Sequence, residues 1–156
     1  MKSIYIYTDG SHLKKTTGRL GCGGIVVDPD GPGYGTKLSE FSEEINEEFL
    51  MRTFGTTKVS NPTAELLGVY FALIRFKIPR DWEVTVFSDY TGVKAFLGGA
   101  WKIKEAHIRV VCNLIWNEIK KQGLHITFEW IRGHQKVHDR DSFWNGEVDL
   151  NAKGKK

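Results

Sequence analysis

The sequence predicts an α/β domain in which a mixed β-sheet carries helices on its faces. Strand-like segments of period two, separated by turn residues, fill residues 4–45, and helical and strand-like segments alternate from residue 61 onward. A hairpin meander followed by β-α alternation is typical of a sheet that combines antiparallel and parallel strands. The chain has 156 residues, a usual length for one domain, so we expect residues 1–156 to form a single domain.

The first strand begins at Ile4 and leads to an acidic residue. Over residues 4–7 isoleucine alternates with tyrosine, at the period that a strand requires. Asp9 then stands at the predicted strand end, and Gly10 allows the chain to turn there. Taken alone, this aspartate is as typical of a turn as of a catalytic site, so its role depends on its partners.

Two more strands complete the predicted meander. Residues 12–19 form a polar loop, 21–27 form a strand that opens with glycines, and 28–33 are a turn rich in proline and glycine. A third strand covers 34–45. The next segment, 46–60, is compatible with a helical turn or with an extension of the strand, and we interpret it as an insertion whose shape stays open.

The first predicted helix starts at Asn61 and is well buried. Asn61 is a suitable N-cap, and Pro62 fits the first turn, where its missing N–H has no partner to lose. Over residues 64–76 the apolar side chains cover more than one face, which predicts packing on several sides. Glu65 lies near the start of this helix.

The second half of the chain alternates strand and helix. Residues 83–89 form a short strand that ends, like the first, at an aspartate. Helices follow over 91–97 and about 104–122, each before a glycine, and a fifth strand covers 124–131.

The chain closes with a charged loop over 132–143 and a short helix over 144–153. Lysine and arginine number 22 against 19 aspartates and glutamates, and this net charge of +3 does not require a polyanionic partner. Basic residues nevertheless cluster in the closing loop and at Lys14 and Lys15, so the distribution leaves a phosphate-binding surface open.

Cysteine usage and hydropathy predict a soluble cytoplasmic protein. Cys22 and Cys112 lie far apart without the spacing of a zinc site, so we expect two reduced, mostly buried thiols. The chain shows no apolar run typical of a signal peptide or a membrane span.

Four acidic residues could together form one site. Asp9 and Asp89 each end a strand, and neighbouring parallel strands would place both at the carboxyl edge of the sheet. Glu65 lies near a helix start, and Asp149 lies in the last helix. Four carboxylates that meet would repel one another unless cations lie between them, and a set of oxygen ligands favours Mg²⁺ or Mn²⁺ over zinc.

Five segments, at residues 7–11, 61–66, 87–89, 130–134 and 145–149, resemble in order and spacing the motifs of ribonuclease H type 1. The resemblance covers nearly the whole chain. It implies the ribonuclease H-like fold, with a five-stranded mixed sheet of three antiparallel strands followed by β-α alternation. It also implies metal-dependent endonucleolytic hydrolysis of the RNA strand of an RNA–DNA hybrid, with two Mg²⁺ ions for which Mn²⁺ can substitute.

The resemblance also implies roles for individual residues. Asp9, Glu65, Asp89 and Asp149 match the metal-binding acids, and His134 matches a histidine that assists proton transfer or product departure.

Substrate contacts follow in the same way. Asn61 matches a position that contacts the nucleic-acid backbone, and Asn145 matches one close to the active site. Ser11, Thr63 and the backbone of Gly10 are further candidates. Recognition of the hybrid is expected to depend on its shape and its 2′-hydroxyl groups.

Three segments depart from the family pattern. Residues 12–18 lack the asparagine expected to contact a 2′-hydroxyl, and Tyr90 and Thr91 replace a serine–glutamine pair. The basic handle of some members is reduced here to residues 98–104, where Trp101 would either stack on substrate or be buried at a helix junction.

Alternative functions remain at this stage. A non-catalytic module that binds hybrid or RNA could share the fold, although a binding protein has no need of four mutually repelling acids. Another nuclease of the superfamily, such as an integrase, transposase or junction resolvase, usually carries additional DNA-binding domains. An α/β protein with scattered surface acids is the plainest alternative. A monomer is expected.

Overall fold

Five strands and five helices make up the computed structural model over the residues it describes, 2–12 and 19–154. The strands are β1 (Ser3–His12), β2 (Leu20–Asp28), β3 (Thr36–Glu44), β4 (Glu83–Ser88) and β5 (His125–Trp130), and the helices are α1 (Glu47–Phe54), α2 (Asn61–Arg75), α3 (Thr91–Leu97), α4 (Ala106–Gln122) and α5 (Arg140–Ala152). Residues 13–18 of the predicted polar loop, which include Lys14 and Lys15, lie outside the described residues. Within the described part of the chain, no helix is both long enough and apolar enough to cross a membrane.

The strands form one mixed sheet in the order β3-β2-β1-β4-β5. β1 pairs antiparallel with β2, and β2 pairs antiparallel with β3. β4 runs parallel to both of its neighbours, β1 and β5. This topology confirms the predicted α/β class and the expected number and direction of strands.

Helices cover both faces of the sheet, because successive side chains of β1 point alternately to one face and to the other and are apolar or aromatic on both. Ile4 and Ile6 are buried in the larger core, to which α2 and α4 contribute most of the helical side chains. Tyr7 points to the opposite face and packs in a smaller core against Trp144 and Val148 of α5. Its hydroxyl donates a hydrogen bond of 2.5 Å to Asp141 Oδ1, which satisfies the one polar atom of a ring that is otherwise fully buried.

The first strand does not end at Asp9, contrary to the prediction from sequence. Its ladder with β2 continues through Asp9 and Gly10 to His12, whereas its pairing with β4 reaches only as far as Tyr7. Gly10 therefore lies inside a strand, because the antiparallel partner extends farther than the parallel one. Asp9 lies just beyond the end of β4, where the sheet leaves an open notch.

The N-cap of α2 is Ser60, one residue before the predicted cap. The Ser60 hydroxyl accepts a hydrogen bond from the Thr63 N–H at 3.3 Å, and Asn61 and Pro62 occupy the first turn. Serine and asparagine cap equally well, so the composition of this segment did not distinguish them.

The last helix starts four residues earlier than predicted. Asp139 accepts a hydrogen bond from the Ser142 N–H at 2.8 Å, and the Ser142 hydroxyl accepts one from the Asp139 N–H at 3.1 Å. This reciprocal capping box begins α5 at Arg140 and shortens the preceding loop. The undetermined insertion also contains a helix, α1, which is capped by Asn46 and ended by Gly55 in the left-handed conformation.

Candidate active site

Three of the predicted acids meet at the notch in the sheet. Asp9 comes from β1, Glu65 from the first turns of α2, and Asp89 from the residue that follows β4. Each offers a carboxylate oxygen, and these oxygens all lie within 4.8 Å of one another. Asp9 is buried, whereas Glu65 and Asp89 are partly exposed, so this group of acids lies at the boundary between the core and solvent.

Two glycines allow α2 to lie directly against β1. A Cβ at Gly10 would come within 2.3 Å of the Ala64 carbonyl oxygen, and a Cβ at Gly68 would come within 2.9 Å of the Asp9 carbonyl oxygen. The close approach lets the Gly10 N–H donate a hydrogen bond of 2.7 Å to Glu65 Oε1. One carboxylate is thus held by the backbone next to another.

Asp89 is held by neighbours from the other side of the notch. Gly133 packs so closely that a Cβ there would lie 2.7 Å from Asp89 Oδ2. The Asn145 side chain donates to the same oxygen at 3.4 Å, and the Trp130 indole N–H donates to the Asp89 carbonyl at 3.1 Å. Residues from β5, the following loop and α5 therefore surround one acid.

Asp149 lies beside this group and has a cation of its own. Its carboxyl group is within hydrogen-bonding reach of Asp9, although it does not belong to the three acids within 4.8 Å. Lys153, which caps the C-terminal end of α5 four residues after Asp149, donates a hydrogen bond of 2.8 Å to Asp149 Oδ2. Lys153 was not among the predicted site residues, although its spacing of four residues from an acid on a helix was a usable signal.

The electrostatics differ between the two parts of the site. Burial, followed by repulsion from Glu65 and Asp89, raises the pKa of Asp9, and burial also raises the pKa of Glu65. For Asp149, burial acts in the same direction, but the hydrogen bonds with Lys153 and Asp9 outweigh it and lower the pKa. A cation placed among Asp9, Glu65 and Asp89 would favour their ionised forms, and their hard oxygen ligands suit a divalent metal.

A small cleft opens beside Asp89 and Asp149. Its volume is about 50 Å³, enough for a few water molecules. The lining residues come from the end of β4, from the loop after β5 and from α5: Asp89, Arg132, His134, Gln135, Ser142, Asn145, Gly146 and Asp149. Arg132 and Gln135 were not among the predicted site residues, since nothing in their spacing separates them from other polar loop residues.

The family model for RNase H matches residues 1–155. The chain belongs to the RNase H family. This membership confirms the resemblance and the predicted enzyme class, a ribonuclease H. No match was found among curated proteins.

Solved structures of RNase H proteins have the same fold. RNase H1 from the halophilic archaeon Halobacterium salinarum NRC-1 is 17 % identical with a TM-score of 0.70, and the match covers 98 % of this chain and 96 % of that one. The N-terminal RNase H domain of rv2228c from Mycobacterium tuberculosis is 19 % identical with a TM-score of 0.70, over 99 % and 94 % of the two chains. LC11-RNase H1, isolated from compost and solved with an RNA/DNA hybrid, is 20 % identical with a TM-score of 0.70, over 97 % and 94 %.

His134 lies at the mouth of the cleft of this RNase H family member. It is exposed, close enough for its charge to affect the Asp149 carboxylate, and the one non-glycine residue with positive φ, 53°, in the described part of the chain. Residues other than glycine rarely adopt this backbone conformation. The loop that carries Gly133 against Asp89 therefore also directs the next residue toward the site.

The predicted substrate-contact residues lie in different environments. Asn61 is exposed at the start of α2, and Ser11 is partly exposed in β1. Asn145 is 5 % exposed beside Asp89. Thr63 is fully buried, and its hydroxyl lies 3.0 Å from that of Ser60, so the structure does not bring it to the surface. The Gly10 N–H is already bonded to Glu65.

Trp101 lies on the surface and not at a buried junction. It is 47 % exposed and packs edge-to-face on Phe96, with ring centres 5.3 Å apart. One of the two predictions for this residue, burial between helices, was wrong, because the short segment after α3 leaves nearly half of Trp101 exposed.

Proposed function

We propose that the protein is a metal-dependent endonuclease that hydrolyses the RNA strand of RNA–DNA hybrids through two metal ions. The observation that carries the proposal is the meeting of Asp9, Glu65 and Asp89, with oxygens within 4.8 Å, in a chain of the RNase H family. Residues 1–156 would act as one domain and as a monomer, in the cytoplasm.

The acids fit Mg²⁺, with Mn²⁺ as a substitute, because their donors are carboxylate oxygens. Burial and then the charge of neighbouring acids raise the pKa values of Asp9 and Glu65, and a bound cation would offset both effects. Asp9, Glu65, Asp89 and Asp149 would hold the metal. When bound, two such ions supply an activated water for attack and a stabilised leaving 3′ oxygen. Asp9 would be the central ligand of this set, since its carboxyl group interacts with those of the other three acids.

The surrounding residues would keep the acids in position. The Gly10 N–H fixes one oxygen of Glu65, and Asn145 and Gly133 limit the movement of Asp89. His134, at the exposed mouth of the cleft, would exchange a proton with the attacking water or the departing product, since imidazoles exchange protons near neutral pH.

Hybrid binding is proposed to use the exposed surface around the notch. Asn61 and Ser11 flank the acids from α2 and β1, where a wide minor groove would present its 2′-hydroxyls. One similar protein, LC11-RNase H1, is known as a complex with an RNA/DNA hybrid, which supports this substrate class. We leave Thr63 out of the proposed contacts because its side chain is buried.

Cleavage of an end-labelled RNA–DNA hybrid tests the proposal. The controls are matched RNA–RNA, DNA–DNA and single-stranded RNA, each with Mg²⁺, with Mn²⁺ and with chelator. Metal-dependent cutting of the hybrid's RNA strand alone is expected. Binding of the hybrid without cutting under either metal would contradict the proposal and favour a non-catalytic binding module.

A further inference from the structure

Lys153 introduces a positive charge into the group of carboxylates that the metal is proposed to occupy. Its ammonium nitrogen lies 2.8 Å from Asp149 Oδ2, at the C-terminal end of α5. The two side chains are 37 % and 26 % exposed, so the pair is only partly screened by water.

The influence of Lys153 extends beyond its direct partner. The hydrogen bond to Asp149 raises the pKa of Lys153, and the charges of Asp9 and Asp89 act in the same direction. A lysine ammonium is charged at neutral pH, so its contact with Asp149 is an ion pair.

From this geometry we infer that Lys153 is the built-in counter-ion of Asp149, which stabilises the metal-free site and weakens the binding of the divalent metal. The inference rests on the proposed function, since it concerns the metal that Asp149 would share. It assigns Lys153 a positioning and charge-compensating role, because its contact is with a carboxylate and not with the reacting atoms.

The physical reason is electrostatic repulsion between the Lys153 ammonium group and a divalent metal ion bound nearby. In the metal-free protein the ammonium group offsets the negative charge of the Asp149 carboxylate, whose Oδ2 lies 2.8 Å away. Once a divalent ion is bound by the same carboxylate, the ammonium and the metal repel each other over a short distance. At a separation of about 6 Å in water the repulsion of a single and a double charge corresponds to roughly a tenfold change in affinity, and less when salt screens it.

Lys153→Gln removes the charge and keeps a hydrogen-bond donor for Asp149. In calorimetric titrations with Mn²⁺ and no nucleic acid, we expect this variant to bind the metal about three- to tenfold more tightly than the wild type. Its metal-free Tm should fall by roughly 1–3 °C, as is usual for the loss of a partly exposed ion pair in a chain of this size.

Three variants provide the controls. Lys153→Arg keeps the charge and should restore wild-type affinity. Lys121→Gln removes a charge from an exposed lysine on α4, which is 78 % exposed, and should leave the affinity unchanged. In an Asp149→Asn background, Lys153→Gln should no longer lower the metal-free Tm, because the partner charge is absent.

Unchanged or weaker Mn²⁺ binding by Lys153→Gln, with normal binding by the wild type, would overturn this inference and leave the proposed function intact. A wild type that binds no Mn²⁺ would contradict both. The two failures are distinguishable because the wild-type titration is read independently of the variants.

Discussion

The two halves of the acidic site solve the problem of charge repulsion differently. Asp9 and Glu65 lie between β1 and α2, where burial and mutual repulsion raise their pKa values. Asp149 lies on α5 with Lys153 beside it, and hydrogen bonding lowers its pKa despite partial burial. Under the proposed function the strand half would depend on a cation from solution, whereas the helix half carries a cation, Lys153, within the chain.

The largest expected effect is the loss of catalysis when an acid is replaced, and it should be similar in the strand half and the helix half of the site. Asp9→Asn and Asp149→Asn should each lower kcat on an RNA–DNA hybrid by more than about a hundredfold, since loss of a residue that merely orients a metal ligand already costs about 10–100-fold. Single-turnover cleavage with saturating Mg²⁺ measures this. A variant that retains most of its activity would remove that acid from the proposed metal site.

Gly10→Ala tests whether the strand half needs its close backbone approach. The new Cβ would lie 2.3 Å from the Ala64 carbonyl oxygen, so α2 must move away from β1. We expect a loss of about 3 kcal/mol in the free energy of unfolding, the upper end for overpacking. Urea denaturation measures it, and a wild-type midpoint would show that the two elements can separate without cost.

Gly133→Ala tests how tightly Asp89 is held, with Gly146→Ala as the matched control. The first would place a Cβ 2.7 Å from Asp89 Oδ2, whereas the second adds a methyl group with no atom within 4 Å. We expect kcat to fall about tenfold for Gly133→Ala, because it displaces a metal ligand, and to fall much less for Gly146→Ala, whose methyl group would enter the same cleft without contacting an acid. Equal kinetics in the two variants would contradict the proposed contact.

The two halves should also respond to pH with opposite signs when metal is absent. Asp9 has a raised pKa in the folded state, so its contribution to stability is fully present below the unfolded pKa of about 3.9 and is lost as the pH rises. Asp149 has a lowered pKa, so its contribution is present above that value and is lost as the pH falls.

Chelator-treated wild type and Asp9→Asn, unfolded with urea from pH 4.5 to 7.5, test the first of these signs. The stability advantage of Asp9→Asn over the wild type should grow as the pH rises. An advantage that shrinks over this range would mean that Asp9 is stabilised, and not destabilised, by ionisation.

Much of the fold was predictable because local patterns agree with the final topology. Alternation over residues 4–7 predicted both faces of β1, and Gly123 ends α4 in the left-handed conformation, as its placement indicated. The errors lie at element boundaries, one decided by a distant strand and the other by a local hydrogen-bonding motif. The extension of β1 past Asp9 depends on β2, and the early start of α5 depends on a capping box between Asp139 and Ser142.

The acids of the site were predictable from the sequence, but the residues that hold these acids in position were not. The order and spacing of the motifs identified the carboxylates, and the structure brings Asp9, Glu65 and Asp89 together. The contact of Gly133 with Asp89 and the placement of Arg132 in the cleft depend on how the loop after β5 folds back. A polar loop has no hydrophobic periodicity, so the contacts of its individual residues cannot be predicted from the sequence.

The most direct measurement is thermal unfolding at neutral pH with chelator, comparing wild type, Asp9→Asn and Asp149→Asn, followed by wild type with Mg²⁺. Asp9→Asn should raise the metal-free Tm by roughly 2–8 °C, about 1–2 kcal/mol for a chain of this size, and Asp149→Asn should lower it. Mg²⁺ should raise the Tm of the wild type. A lower Tm for Asp9→Asn, with no effect of Mg²⁺ on the wild type, would contradict the claim that the strand half depends on a cation from solution.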